Sequence, residues 1–129
     1  MKDGSVPPDR APTIRIFAMP DYTNPSGDIF GGWLMSMMDM AGVNVAFERA
    51  GGRVATVAVN EIEFHSPVLV GDLVRCNAKV VRTGRASLGT KVEVWVRGRS
   101  GGDPIKLTEG EFTFVAINDD RVPRPLQTL

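Results

Sequence analysis

The stretch that most constrains the fold is GDIFGGWLMSMMDMAG, Gly27 to Gly42. It reads as a glycine-marked turn running into an unusually apolar helix. The helix should begin near Gly31 and stop at Gly51-Gly52, where paired glycines supply a left-handed cap. A helix with apolar residues around most of its circumference has to be covered on more than one side. It nevertheless carries a carboxylate, Asp39. On a wheel of about 100° per residue, Asp39 falls within roughly 40° of Met35, Val43, Ala46 and Ala50. Asn44 and Glu48 lie roughly opposite, near Trp33 and Met37, so the polar residues do not gather on one solvated face. An isolated buried carboxylate is costly, and proteins pair it, protonate it or use it. Three readings are therefore open: Asp39 is solvent-exposed, it accepts hydrogen bonds from a neighbouring loop, or it serves chemistry.

The rest of the chain supplies strands to cover the helix. Thr13 to Met19 alternates Ile14, Ile16 and Ala18 against Arg15 and Phe17, a first strand ended by Pro20. Asp21 to Asp28 (DYTNPSGD) is dense in turn formers and forms a loop. Arg53 to Phe64 is rich in β-branched residues, and its alternation changes phase between Val57/Val59 and Ile62/Phe64, which predicts a bulge or bend near Asn60. His65-Ser66-Pro67 and Gly71-Asp72 mark the next corner. Leu73 to Arg82 and Ala86 to Arg97 are strands joined by the tight turn Thr83-Gly84-Arg85. In the second of these, Leu88, Val92, Val94 and Val96 share one face, and Lys91, Glu93, Trp95 and Arg97 the other. A last strand runs from Ile105 to Asn118. One strand, a long helix and four antiparallel strands predict an α+β layer arrangement, a single hotdog domain in which a curved five-stranded sheet wraps the central helix.

At 129 residues the chain suits one domain, here 13–118, with a flexible arm at 1–12 and an irregular tail at 119–129. Fifteen basic and fifteen acidic residues cancel, which gives no bulk charge for binding nucleic acid. No stretch approaches the roughly 20 apolar residues of a membrane helix, and the first residues have no apolar signal core. A single cysteine, Cys76, excludes an internal disulfide. These features predict a soluble cytoplasmic protein.

The glycines suggest what the acid serves. Gly31 and Gly32 stand where the first N–H groups of the helix have no intrahelical acceptor. Bare backbone lets a ligand approach, and the helix dipole favours negative charge there. Such donors could hold a developing oxyanion, which with an acid further along the helix suits acyl transfer or hydrolysis. The alternative is that the glycines only permit close packing. A phosphate site is the other use of a helix start, but no P-loop or G-x-G-x-x-G pattern is present.

Several blocks occur together: MPDYTNPSGDIFGGWLMSMMDMAG (Met19 to Gly42), GRVATVAV (Gly52 to Val59), SPVLVGDLV (Ser66 to Val74), RTGRAS (Arg82 to Ser87) and KVEVWV (Lys91 to Val96). In this order the chain resembles the YciA-type acyl-CoA thioesterases, hotdog enzymes, over about residues 13–117. The resemblance implies hydrolysis of acyl-CoA to the free acid and CoA, with no metal and no cofactor beyond the CoA of the substrate. It implies Asp39 as general base or as nucleophile giving an anhydride. Asn24 would act with the acid of a neighbouring subunit, and the Gly31 or Gly32 N–H would hold the oxyanion. Phe30 stands where many relatives carry a histidine. Arg82, Gly84, Arg85 and Ser87 would contact CoA, where an arginine fork suits phosphate, unless this turn is an ordinary hairpin with solvated arginines. Thr56, Val57 and Val59 would flank the pantetheine. The implied assembly is a homodimer at minimum, and a trimer of dimers in the family pattern. A different class stays open: a hotdog module that binds acyl-CoA as a regulator and does no chemistry. His65, the only histidine, lies outside the catalytic stretch, which argues against a dehydratase. Cys76 reads as a buried, inert thiol.

Overall fold

The structure is a computed structural model that describes residues 11–126, so nearly all of the expected N-terminal arm lies outside the described residues. The elements are β1 (Ile14–Phe17), α1 (Gly31–Ala50), β2 (Val54–Val59), β3 (Leu73–Thr83), β4 (Ser87–Arg97) and β5 (Ile105–Ala116). The strands form one antiparallel sheet in the order β1-β3-β4-β5-β2. α1 packs on β2, β3, β4 and β5, as the order of elements predicts.

What lets the sheet wrap the helix is a stripe of mostly small residues. Leu34, Met38, Ala41, Gly42, Ala46 and Ala50 are buried on one side of α1. They meet inward positions of three strands: Val74, Cys76 and Ala78 on β3, Leu88, Thr90, Val92 and Val94 on β4, and Phe112, Phe114 and Ala116 on β5. Gly42 sets the closest approach. A Cβ there would lie 2.9 Å from Phe114 Cζ and 3.0 Å from Thr90 Oγ1, nearer than side chains tolerate. On the remaining surface of α1, Met35, Met40 and Phe47 stay exposed, so one chain does not finish burying its own helix.

The helix ends as its glycines predict. Gly51 takes the left-handed conformation (φ 71°), and its N–H donates to the Phe47 carbonyl at 2.9 Å. Arg124 completes the cap from the tail, with Nη2 donating to the Ala50 carbonyl at 3.0 Å and Nε to the Ile117 carbonyl at 3.1 Å. Its charge also complements the negative end of the helix dipole. Leu126 then donates its N–H to the Arg85 carbonyl at 2.7 Å. The described part of the tail contains no strand, but it ties α1, the end of β5 and the β3–β4 turn together.

The strand expected over Arg53 to Phe64 is shorter: it stops at Val59, and its register shift falls between Thr56 and Ala58, with Val57 as the extra residue. The expected break near Asn60 is a bend out of the sheet. The chain must then cross from the β2 edge to β3, between β1 and β4 on the far side of the sheet. After Asn60 donates to the Glu111 carbonyl, it leaves the ladder. Ile62 drops against Gly110, where a Cβ would come within 2.7 Å, and Phe64 passes beside Gly31. The phase change seen in the sequence records this departure. On β4, Lys91 and Glu93 are half-buried and Arg97 is exposed, whereas Trp95 is only 1% exposed. Its register partners, Arg75 and Lys106, have long aliphatic stems that can cover an outward ring. A short 3-10 turn at Pro20–Tyr22 opens the loop expected over Asp21 to Asp28.

Candidate active site

Asp39 is half-buried at the border between the buried stripe of α1 and its exposed side, facing the edge strand β2. Thr56 Oγ1 donates a hydrogen bond of 2.9 Å to Asp39 Oδ1. The donor is thus a strand hydroxyl and not a loop. Among the described residues no partner meets the other carboxylate oxygen. β2 has β5 on one side only, so the carboxylate lies along an open sheet edge, where Val57 and Val59 are exposed.

The start of α1 is free of its own side chains. Phe30 occupies the N-cap and forms no side-chain cap, and no acid stands in the first turn. Among the described residues neither the Gly31 nor the Gly32 N–H has an acceptor. Packing does not account for these glycines. A Cβ on Gly31 would sit 3.6 Å from the Phe64 ring, an ordinary contact, and one on Gly32 would meet nothing within 4 Å. Gly42 and Gly110 are glycines that the fold requires, whereas Gly31 and Gly32 leave two donors open to whatever approaches.

An open cleft of about 290 Å³ adjoins this helix start, lined by Asn24, Asp28, Gly31, Leu34, Phe64 and His65, among others. Asn24 builds the loop around it. Its Oδ1 accepts from the N–H of Ser26 (2.9 Å) and Asp28 (3.2 Å), and its own N–H donates to the Asp28 carbonyl at 2.7 Å. With Oδ1 committed, the side-chain amide group remains to serve a ligand. Tyr22 stacks on Trp33 with ring centroids 5.0 Å apart, fixing the loop to the first turn of α1. Sequence order gave no sign that Phe64 and His65 would line this cleft; only the irregular path of the crossover brings them there.

The two halves do not meet within one chain. Asp39 stands eight positions beyond Gly31, about 12 Å of axial rise at helical geometry. A carbonyl held by the Gly31 or Gly32 N–H cannot touch the same chain's Asp39. The structure therefore joins Asn24, Gly31 and Gly32 at one end of the helix, and Asp39 with Thr56 beside β2.

The residues expected to hold CoA separate as well. Arg82 is engaged: Nη1 lies 2.6 Å from Glu111 Oε2 and Nη2 lies 3.0 Å from Thr113 Oγ1. It reaches β5 by crossing over Gly89, where a Cβ would come within 2.5 Å of the guanidinium. Gly84 and Ser87 close the turn through a Gly84 N–H to Ser87 carbonyl bond of 2.8 Å. Arg85 is exposed, with no ion pair among the described residues. Cys76 is inert, since burial pushes its thiol up to about 12. Among the described residues no three His, Cys, Asp or Glu side chains converge as metal ligands, and no helix is long and apolar enough to cross a membrane.

Known proteins share this fold. Residues 26–101 match the family model described as the thioesterase superfamily. The acyl-CoA thioester hydrolase YciA of Salmonella typhimurium is 49% identical over 117 residues, covering 88% of this chain and 87% of that protein. YciA of Escherichia coli is 47% identical over 117 residues, covering 88% of each. Among solved structures, the hexameric thioesterase y2039 of Yersinia pestis superposes with a TM-score of 0.89 at 47% identity, over 95% of this chain and 99% of that one. HI0827, a hexameric broad specificity acyl-coenzyme A thioesterase, gives 0.90 at 41% identity, over 98% of this chain and 88% of that one. These matches establish that the chain belongs to the thioesterase superfamily, with the YciA acyl-CoA thioester hydrolases as its relatives.

Proposed function

We propose that the protein hydrolyses acyl-CoA thioesters to the free acid and CoA at a site shared between two copies. The observation that carries this reading is the division along α1: two unpartnered N–H donors at its start and a half-free carboxylate about 12 Å further on. An antiparallel pairing of two β2 edges would bring Asp39 of one copy toward the partner's Asn24, Gly31 and Gly32. It would also cover the exposed Met40, Phe47, Val57 and Val59. The hexameric state of y2039 and HI0827 supports a trimer of such dimers.

In this site the thioester oxygen lies against the partner's Gly31 and Gly32 N–H groups, and the partner's Asn24 amide orients the water or the carbonyl. Asp39 removes a proton from water as it attacks the carbonyl carbon, a contribution typically worth about 10²–10⁴-fold. Alternatively it attacks directly and forms an anhydride that water then opens. The negative charge that develops on oxygen is stabilised by the helix-start donors, each worth about 3 kcal/mol in comparable sites. Collapse breaks the C–S bond, and the CoA sulfur leaves with a proton. Arg85, exposed on the β3–β4 turn and without an ion pair among the described residues, is the cation for the CoA phosphates, while Val57 and Val59 flank the pantetheine. This chemistry needs only water and the ester, so no cofactor is assigned. Acyl-CoA is an intracellular metabolite, which carries a cytoplasmic location with it.

The test is thiol release from CoA esters running from acetyl to palmitoyl. Wild-type protein releases CoA, and Asp39→Asn abolishes turnover while retaining CoA binding. Binding of acyl-CoA without release by the wild type, or near-full turnover by Asp39→Asn, would overturn the reading.

A further inference from the structure

We propose that the returning tail positions the CoA-binding turn: the Leu126 N–H holds the Arg85 carbonyl, so that the Arg85 guanidinium starts from a fixed point beside the CoA phosphates. This rests on the hydrolase reading above and its use of Arg85.

The tail is built to come back. Asn118 reverses the chain after β5: its Oδ1 accepts from the N–H of Asp120 (2.9 Å) and Val122 (3.0 Å), and its own N–H donates to the Val122 carbonyl at 2.9 Å. Arg121 takes the left-handed conformation (φ 63°) inside this reversal. Pro123 then bridges to Ile117, and the Arg124 N–H donates to the Ala116 carbonyl at 2.9 Å. The Arg124 guanidinium fixes the same segment to the last turn of α1. Two residues on, the Leu126 side chain packs against the core while its N–H meets Arg85.

The turn it meets is held largely from outside. β3 ends at Thr83 and β4 begins at Ser87, and the Gly84 N–H to Ser87 carbonyl bond closes the hairpin. The next two carbonyls both find donors beyond the hairpin. Ala86 accepts from the Ala116 N–H at 2.8 Å, and Arg85 accepts from the Leu126 N–H at 2.7 Å. The side chain of Arg85 is exposed and has no ion pair among the described residues, so its backbone decides where the charge lies. An arginine on a pinned turn gives up less freedom on meeting phosphate than one on a mobile turn. Leu126 is thus a positioning residue that acts through Arg85, and through its backbone rather than its side chain.

Leu126→Pro removes the donor and keeps an apolar side chain, whereas Leu126→Ala keeps the donor and shortens the side chain. Both are assayed as the purified full-length oligomer, with Arg85→Ala and the double variant Leu126→Pro/Arg85→Ala. The substrates are acetyl-CoA and the acetyl thioester of pantetheine, which carries none of the CoA phosphates. Loss of one such bond should raise KM for acetyl-CoA about 3- to 10-fold in Leu126→Pro, with kcat little changed and the pantetheine ester turned over as by wild type. Leu126→Ala should keep the wild-type KM, and the double variant should be no worse than Arg85→Ala. An unchanged KM in Leu126→Pro would overturn the proposal. So would equal losses on both substrates, which would mark the tail as a stability element only, or losses that add in the double variant, which would mean that Leu126 does not act through Arg85. Should wild-type protein release no thiol from acetyl-CoA, the hydrolase reading falls. Should Arg85→Ala raise KM while Leu126→Pro does not, only the positioning role falls.

Discussion

The separation of Asp39 from Gly31 can be tested without resolving a complex. Take two variants, Asp39→Asn and Asn24→Ala, each inactive alone if both residues are needed. In a dimer with two shared sites, a mixed pair contains one site with both lesions and one with neither. Random reassortment makes about half of the dimers mixed, and half of their sites are intact, so activity should return to about one quarter of wild type. The figure follows from about 12 Å of helix, because a site built within one chain would leave every site in the mixture damaged. The assay unfolds and refolds the variants together at equal concentration, with different affinity tags, and measures CoA release from the doubly tagged fraction. Because three such dimers make up a hexamer, nearly every particle carries both tags, and that fraction should also show about one quarter of wild-type activity. A doubly tagged fraction as inactive as either parent would refute the shared site, because each chain's own catalytic unit would then carry one lesion.

Three further outcomes follow from the geometry. Gly42→Val should lower stability by about 1–3 kcal/mol, since the added carbons run into the Phe114 ring and Thr90, both fully buried; urea denaturation checks it. Arg85→Ala should raise KM for CoA esters with kcat little changed, and Arg82→Ala should instead lower stability by breaking the contact to Glu111 and Thr113, a contrast read by steady-state kinetics beside thermal melting. Glu109 is held below the usual carboxylate range by its hydrogen bond to Lys106, against the opposing effect of its partial burial, with Lys91 adding to the depression. Its contribution is therefore present above the ordinary carboxylate value of about 4.3 and is lost as the pH falls through its lower folded value. Glu109→Gln should cost less than about 1 kcal/mol at pH 7, given its exposure, and the difference should vanish in strong acid.

The helix was the most legible part of the chain, because its limits are written locally. A glycine pair opens it, a left-handed glycine closes it, and mostly small residues mark the face that meets the sheet. β3, β4 and β5 were equally plain from alternation. What could not be seen was anything fixed by contacts between distant residues. Thr56 belongs to an ordinary β-branched run until its strand lies beside Asp39. Arg82 looks like a free cation until Gly89 lets it cross to Glu111. Arg124 looks like part of a loose tail until it caps α1. The break near Asn60 was legible as a bulge or a bend and is a bend out of the sheet, because a change of phase tells that a strand has been interrupted and not by which of the two; the separate bulge at Val57 left no such trace.

The exposed apolar residues and the divided site have one cause. A helix flanked by a single sheet buries one stripe, and the sequence supplies apolar side chains beyond that stripe at Met35, Met40 and Phe47. Burying those requires a second body beside the helix, and the edge with unfilled hydrogen-bonding groups on that side is β2. Asp39 stands between the buried stripe and this exposed surface, so whatever satisfies the apolar surplus also closes over the acid. A variant that made the surface polar, such as Met40→Lys with Phe47→Glu, should therefore give chains that fold, fail to associate and lose turnover together. Turnover retained by a dispersed single chain would show that burial of the helix and completion of the site are separate events.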